Sequence, residues 1–364
     1  MTAQTPVIGG PHVHAPASVP RTMIMVLLAS LPAAGFGIYL FGWPALNLLL
    51  VTITAAVLSE ALGLWLAGKP LRASLFDGSA VLTAWLLALT LPPWAPWWIG
   101  ALGGSFAIII GKQVFGGIGQ NLFNPAMLAR VALLISFPLQ MTTWAQPHPL
   151  LAAGSPDFLT GLAITFGHAP QIDGISSATV LGHVKTAFTQ GHTLSESLRG
   201  HFEPAASLLG RTNGSLGETS VVLVLLGGLV LLQQRIITWH IPLAMLGAIA
   251  AFAGLFHWIN PERYGDALFH LSSGGAMLGA FFIATDPVTS PSSVRGQLIF
   301  GAGCGALTWI IRTWGGYPEG VAFAVVLMNA LTPLIDHYVR PRIYGRTRAG
   351  APIEPPAQQR ETNP

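Results

Sequence analysis

The sequence predicts an all-α integral membrane protein of about ten transmembrane helices, built as two inverted five-helix repeats. Three observations carry that expectation. The 364 residues are 52% hydrophobic and only 9% charged, with a mean hydropathy of +0.59, whereas a soluble domain carries about 25% charged residues. Apolar runs recur along the chain near the length a bilayer asks for, roughly 20 residues. A long polar stretch, 139–217, divides those runs five and five.

The first run, 23–41, contains Ala33 and Ala34, which resemble a signal-peptide cleavage site; further runs follow at once, so an uncleaved helix is expected. The runs 45–67, 79–91, 96–111 and 122–138 complete the first half, and 218–233, 241–259, 267–285, 297–314 and 320–338 form the second. The expected organisation is an N-terminal arm over 1–20, a membrane repeat over 21–138, a polar region over 139–217, a second repeat over 218–339 and a tail over 340–364. The tail, which includes "GAPIEPPAQQRETNP", is Pro-rich and polar and reads as disordered.

Lysine and arginine set the orientation, because cytoplasmic loops collect them. With the N-terminus cytoplasmic, Arg21, Lys69, Arg72, Lys112, Arg235, Arg295 and the C-terminal arginines fall inside. Lys185, Arg199, Arg211, Arg263 and Arg312 fall outside, mostly in the long polar region. Both termini are thus expected inside and 139–217 outside. An odd number of spans per half starts the second half on the opposite side from the first, which inverts it. "AVLTAWLLAL" (80–89) and "AMLGAFFIAT" (276–285) support the repeat, pairing Ala80 with Ala276, Leu82 with Leu278, Ala84 with Ala280, Trp85 with Phe281 and Ala88 with Ala284. Each runs into prolines, and short Pro-interrupted segments at matching positions of two halves point to a binding site between them.

A charge at mid-membrane costs on the order of 3 kcal/mol, so Glu60, Arg130 and Asp286 need partners or a cavity. Asn121 and Asn124 precede Pro125 after the flexible Gly116, Gly117 and Gly119, and Asp286 precedes Pro287. Two readings stand side by side: caps for helix ends beside prolines, or polar groups that two broken helices offer to a ligand. Glu60, Asp77, Glu319 and Asp336 are further candidates for an ion pathway, or else helix-end groups. "GGIGQN" is not G-x-G-x-x-G and follows no strand, which excludes a Rossmann site. The lone cysteine, Cys304, reads as helix packing and cannot hold an iron–sulfur cluster by itself. The scattered cations leave no nucleic-acid footprint, and His12 and His14 read as interfacial rather than metal-binding.

"DGISSATVLG" (173–182) sets an acid and three hydroxyls in the polar region. "SSATVLGHVKTAF" reads as the opening of a helix, whose free N–H groups favour an anion, with Lys185 further along. The same residues also read as a simple cap, with Asp173 or Ser176 bonded to the helix start and Thr179 in solvent.

Four long stretches, "GKQVFGGIGQNLFNPAMLARVALLISFPLQMT", "DGISSATVLG", "ATDPVTSPSSVRGQLIFGAG" and "RTWGGYPEGVAFAVVLMNALTPLIDHYVRPRIYG", resemble the D-subunit family of Rnf-type ion-translocating electron-transport complexes. That family is related to the B subunits of sodium-translocating NADH:quinone oxidoreductases. The resemblance covers nearly the whole membrane portion, and the R-P-R-I-Y-G ending favours the Rnf branch.

The resemblance implies a flavin mononucleotide (FMN) joined through its phosphate to the threonine of a D-x-x-[ST]-x-A-T pattern by a flavin transferase. Here that pattern is Asp173, Ser176, Ala178 and Thr179, so the attachment falls on Thr179; Ser177 departs from the family's usual glycine. It also implies a second, non-covalent flavin, riboflavin, at Asn121, Asn124 and Asp286. The implied role is electron relay between ferredoxin and NADH, coupled to Na+ or H+ movement across a bacterial inner membrane, with Thr179 on the periplasmic side. The implied partners are a second covalent-flavin subunit and iron–sulfur subunits. An inverted-repeat transporter or channel for a small solute, without redox activity, is the rival expectation.

Overall fold

The computed structural model describes residues 18–71, 75–152, 154–167, 176, 177, 179–198, 200, 202–210, 212–340 and 345. His12, His14, Asp173, Ala178, Arg199, Arg211 and nearly all of the tail lie outside the described residues.

All ten expected runs are helical, but unequally so. Among the described residues five helices are long and apolar enough to cross a membrane: α1 (Val19–Phe41), α2 (Trp43–Leu66), α12 (His240–Ile259), α15 (Val294–Trp314) and α16 (Val321–Tyr338). The other runs give shorter pieces: α3 (Ser79–Thr90), α4 (Trp97–Ile108), α5 (Pro125–Ser136) and α11 (Val221–Gln233). The run 267–285 is broken into α13 (Ala267–Ser272) and α14 (Ala276–Leu278), the latter extended by a π turn, Gly279–Ile283. A second π turn, Ile109–Gln113, extends α4. A helix of 12 residues reaches only about 18 Å, so the short pieces must be held by their neighbours.

Between the halves lie α6 (Pro138–Thr142), β1 (Trp144–Ala145), α7 (Phe158–Phe166), β2 (Ser176–Ser177), α8 (Val180–Thr189), α9 (Leu194–Leu198) and α10 (Pro204–Leu209). β1 and β2 pair antiparallel, Trp144 opposite Ser177 and Ala145 opposite Ser176, which ties the threonine-bearing segment back to the end of the first half.

The packing repeats. α2 lies on α4 and α12 lies on α15, in each case through glycines that let backbones touch. A Cβ on Gly104 would come within 2.6 Å of the Thr52 carbonyl oxygen, and one on Gly301 within 2.7 Å of that of Ile241. Ala80, Ala84 and Ala88 are buried, as are their expected mates Ala276, Ala280 and Ala284. Gly78 (φ 79°) and Gly274 (φ 65°), just ahead of the two matched segments, share a left-handed backbone.

The two matched segments run in opposite directions. Ser79, at the start of α3, lines the same cavity as Thr285 and Asp286, just beyond the π turn that extends α14. Thr90, at the end of α3, lines a second cavity with Gly275, at the start of α14. The molecule therefore has a Lys112 end and a Thr179 end. One apolar core, including Phe41, Leu87, Met127, Met245 and Phe300, joins both halves. Cys304 is buried in it, as helix packing requires.

Candidate functional site

Thr179 is the N-cap of α8, and its Oγ1 accepts a hydrogen bond from the Gly182 N–H at 3.1 Å. The cap is thus made by Thr179 itself; Asp173 lies outside the described residues. Its hydroxyl stands at a helix N-terminus, where the free N–H groups and the dipole favour an attached phosphate. Lys185 turns elsewhere: its Nζ donates to the carbonyls of Tyr317 (2.8 Å), Arg312 (3.3 Å) and Ile311 (3.4 Å), closing the C-terminal end of α15.

Thr179 shares a cleft with Trp144, Asn213, Ser273, Glu218 and Glu319. The two lining carboxylates, each half-buried, meet two buried arginines. Arg130 Nη2 meets Glu319 Oε2 at 2.6 Å and Glu218 Oε1 at 3.9 Å; Arg312 Nη2 lies 3.9 Å from Glu319 Oε1. These charges also satisfy the broken backbone, which lipid cannot do. Arg130 donates to the Thr90 carbonyl at the end of α3. Arg312 donates to the His270 (2.6 Å) and Ser273 (2.8 Å) carbonyls across the α13–α14 break, and Glu319 accepts the Gly275 N–H. A Cβ on Gly275 would stand 2.8 Å from Glu218 Oε1 and 3.1 Å from Glu319 Oε1, so a glycine is needed between the two carboxylates.

At the other end, the residues expected to meet do meet: Asn121, Asn124 and Asp286 line one cavity, together with Ser79, Lys112 and Phe281. Its volume is about 90 Å³. The three residues are caps and linkers as well. Asn124 Oδ1 accepts from the N–H groups of Ala126 (3.1 Å) and Met127 (3.2 Å), and Asn124 Nδ2 donates to the Ile283 carbonyl at 3.4 Å. Asp286 accepts from the Val288 N–H and the Thr289 hydroxyl, each at 3.2 Å, and Asn121 Nδ2 donates to the Phe123 carbonyl at 3.2 Å. The capping and the ligand readings are therefore compatible: the caps fix the cavity wall.

Glu60, one of the charges requiring a partner, pairs with Lys112 at 2.7 Å, and Lys112 also donates to Ser79 Oγ at 2.7 Å. Asp77 accepts from the Ser79 N–H at 2.7 Å, and Asp336 from the Ser292 N–H at 3.1 Å, so both act as helix-end groups. Lys112 and Arg312, assigned from sequence to the inner and outer sides, are buried. Sequence reasoning also missed Glu218 and Asn329. The buried Asn329 joins the halves, since its Oδ1 accepts from the Asn124 N–H at 3.0 Å and its Nδ2 donates to the Thr289 carbonyl at 3.1 Å. The available signal was a polar residue inside an apolar run, "VVLMNAL".

The NQR2, RnfD, RnfE family matches residues 7–345. Among relatives named as the D subunit of an ion-translocating oxidoreductase complex, one from Stutzerimonas stutzeri is 60% identical over 336 residues, covering 92% of this chain and 95% of its own. Another, from Halorhodospira halophila, is 53% identical over 346 residues, 95% of this chain and 97% of its own. A third, from Escherichia coli, is 45% identical over 353 residues, 94% and 99% of the two chains.

Proposed function

Since the chain belongs to the NQR2, RnfD, RnfE family, we propose that it serves its redox-linked translocase complex as a flavoprotein, with FMN esterified to the Oγ1 of Thr179. In the same reading Asn121, Asn124 and Asp286 hold riboflavin. The observation that carries it is the pairing of two clefts at opposite ends of one seam between the halves, one with Thr179 at its rim and the other lined by the amide pair and the carboxylate.

The residues present suit these groups. At Thr179 the first-turn N–H groups of α8 would face the phosphate. In the Lys112-end cavity, amides, a carboxylate and the Ser79 and Thr285 hydroxyls offer donors and acceptors to a ring edge or ribityl chain, while Phe281, Phe282 and Leu82 offer apolar walls. When bound, the flavins supply the electron transfer. The protein's part is to anchor, orient and set the surrounding charge. Glu218 and Glu319 line the Thr179 cleft and are held by Arg130 and Arg312.

The distribution of lysine and arginine supports cytoplasmic termini and a periplasmic Thr179 in a bacterial inner membrane. Electrons would pass between ferredoxin and NADH through partner subunits that carry iron–sulfur clusters and a second covalent flavin, coupled to Na+ or H+ movement. A flavin transferase would load Thr179. The test is a denaturing gel under ultraviolet light, on protein from cells that contain the transferase. The wild-type band is expected to fluoresce and Thr179→Ala to be dark; a dark wild-type band would contradict the reading and favour a non-redox transporter.

A further inference from the structure

Leu181 on α8 lines the Thr179 cleft and also borders a neighbouring one. Val184, Lys185 and Phe188, at helical spacing, form a wall of that neighbouring cleft of about 540 Å³, closed on its other sides by the turn 260–265 and the last turn of α15. Three cations line it, Lys185, Arg263 and Arg312, against a single carboxylate, Glu262, which already accepts the Ser195 hydroxyl at 2.8 Å.

Among the described residues neither Lys185 nor Arg263 is ion-paired to a carboxylate. Among the described residues Lys185 has carbonyl partners but no carboxylate, and burial pushes its ammonium below its ordinary range. Arg312, also in the wall, is buried with its Nε lacking any hydrogen-bond partner, and its nearest carboxylate oxygen is 3.9 Å away. The buried His270 Nδ1 in the same wall is unpartnered too. Arg263 lies over the Tyr264 ring, 5.9 Å from its centroid, at the rim. A half-desolvated cationic cleft of this kind favours an anion.

The level of the cleft selects the anion's source. Trp314, 53% exposed, lines it at the end of α15, and Trp258, 82% exposed, lies two residues before the lining Asn260 at the end of α12. Tryptophans at helix ends mark the membrane–water boundary. Ile259 and Leu255 continue the exposed apolar surface along α12, where an acyl chain can lie.

We infer that this cleft binds the phosphodiester headgroup of an anionic phospholipid from the leaflet at the Thr179 end. The phosphate would face Lys185 and Arg263, with the fully buried Arg312 behind them adding positive charge, and basic pockets at a membrane surface hold headgroups in this way. The bound lipid would brace α8 beside the Thr179 cleft, whether or not Thr179 is modified.

The test uses the full chain in nanodiscs of phosphatidylcholine containing increasing dioleoyl phosphatidylglycerol, read by native mass spectrometry. One phosphatidylglycerol is expected to be retained per chain in preference to phosphatidylcholine. Arg263→Gln, at the rim, and Lys185→Gln are each expected to weaken retention about tenfold. Equal retention of the two lipids, or unchanged retention in Arg263→Gln, overturns the inference. In a parallel arm without lipid, inorganic phosphate is added to the protein in detergent. Stabilisation by phosphate that phosphatidylglycerol does not reproduce would assign the site to a soluble phosphate group, and so also overturns it.

Discussion

The Lys112 end and the Thr179 end solve the same problem with different cations. At each, a basic residue at the end of a repeat's fourth run folds back onto the third: Lys112 to Ser79 at its start, and Arg312 to Ser273 at the break within it. Lys112 needs only one carboxylate, Glu60, and one hydroxyl, because α3 begins cleanly after Gly78 and Asp77 already accepts the Ser79 N–H. Arg312 must bridge a true break between α13 and α14, and its planar fork reaches two carbonyls at once. An ammonium is a compact point charge and does not do this with comparable geometry. The choice of cation follows how much broken backbone the site has to satisfy.

The largest expected effect breaks that comparison at its stronger side. Arg312→Ala leaves two carbonyls and part of Glu319 uncompensated, and removal of one member of a buried ionic network costs about 3–5 kcal/mol. Thermal unfolding in detergent should therefore show a large loss for Arg312→Ala and a substantial one for Arg312→Lys. Lys112→Arg should be milder, since Glu60 keeps a cation. Equal losses for the two exchanges would remove the distinction.

A smaller effect sharpens it. Gly78→Ala and Gly274→Ala both place a side chain at positive φ, at about 1 kcal/mol. At Gly274 the new Cβ would also stand 2.6 Å from Glu319 Oε1 and 2.9 Å from Arg312 Nη2, whereas at Gly78 its nearest neighbour is the Met23 Cβ at 3.3 Å. Gly274→Ala should thus lower the unfolding temperature more than Gly78→Ala, and the excess measures how rigidly the Thr179-end charges are held. Smallest is Thr179→Ala, which forfeits one N-cap bond, about 1 kcal/mol; its stability loss should be modest even though its band in the gel goes dark.

Much of the architecture was legible in the sequence, because hydrocarbon demands long apolar runs and the repeat left matching alanines at 80, 84 and 88 and at 276, 280 and 284. Asn121, Asn124 and Asp286 were also legible as a group, since prolines flag helix ends and the resemblance named the residues. The charge partners were not. Glu60 and Lys112 are far apart in the chain, and Lys112 turns inward within a π turn that leaves no hydrophobic signature. Arg312 resembles a loop cation because its run ends there, yet the last turns of α15 bury it against the α13–α14 break. Glu218 sits in a polar stretch, "NGSLGETS", where a carboxylate is unremarked in sequence, and only the fold brings it to Arg130.

The central claim concerns one oxygen atom among three neighbouring hydroxyls, those of Ser176, Ser177 and Thr179. Peptide mass spectrometry with fragmentation, on protein isolated from cells that contain the transferase, tests it most directly. The account predicts a peptide heavier by FMN less one water, with the added mass localised to Thr179. An unmodified peptide, or a flavin localised to Ser176 or Ser177, would contradict it.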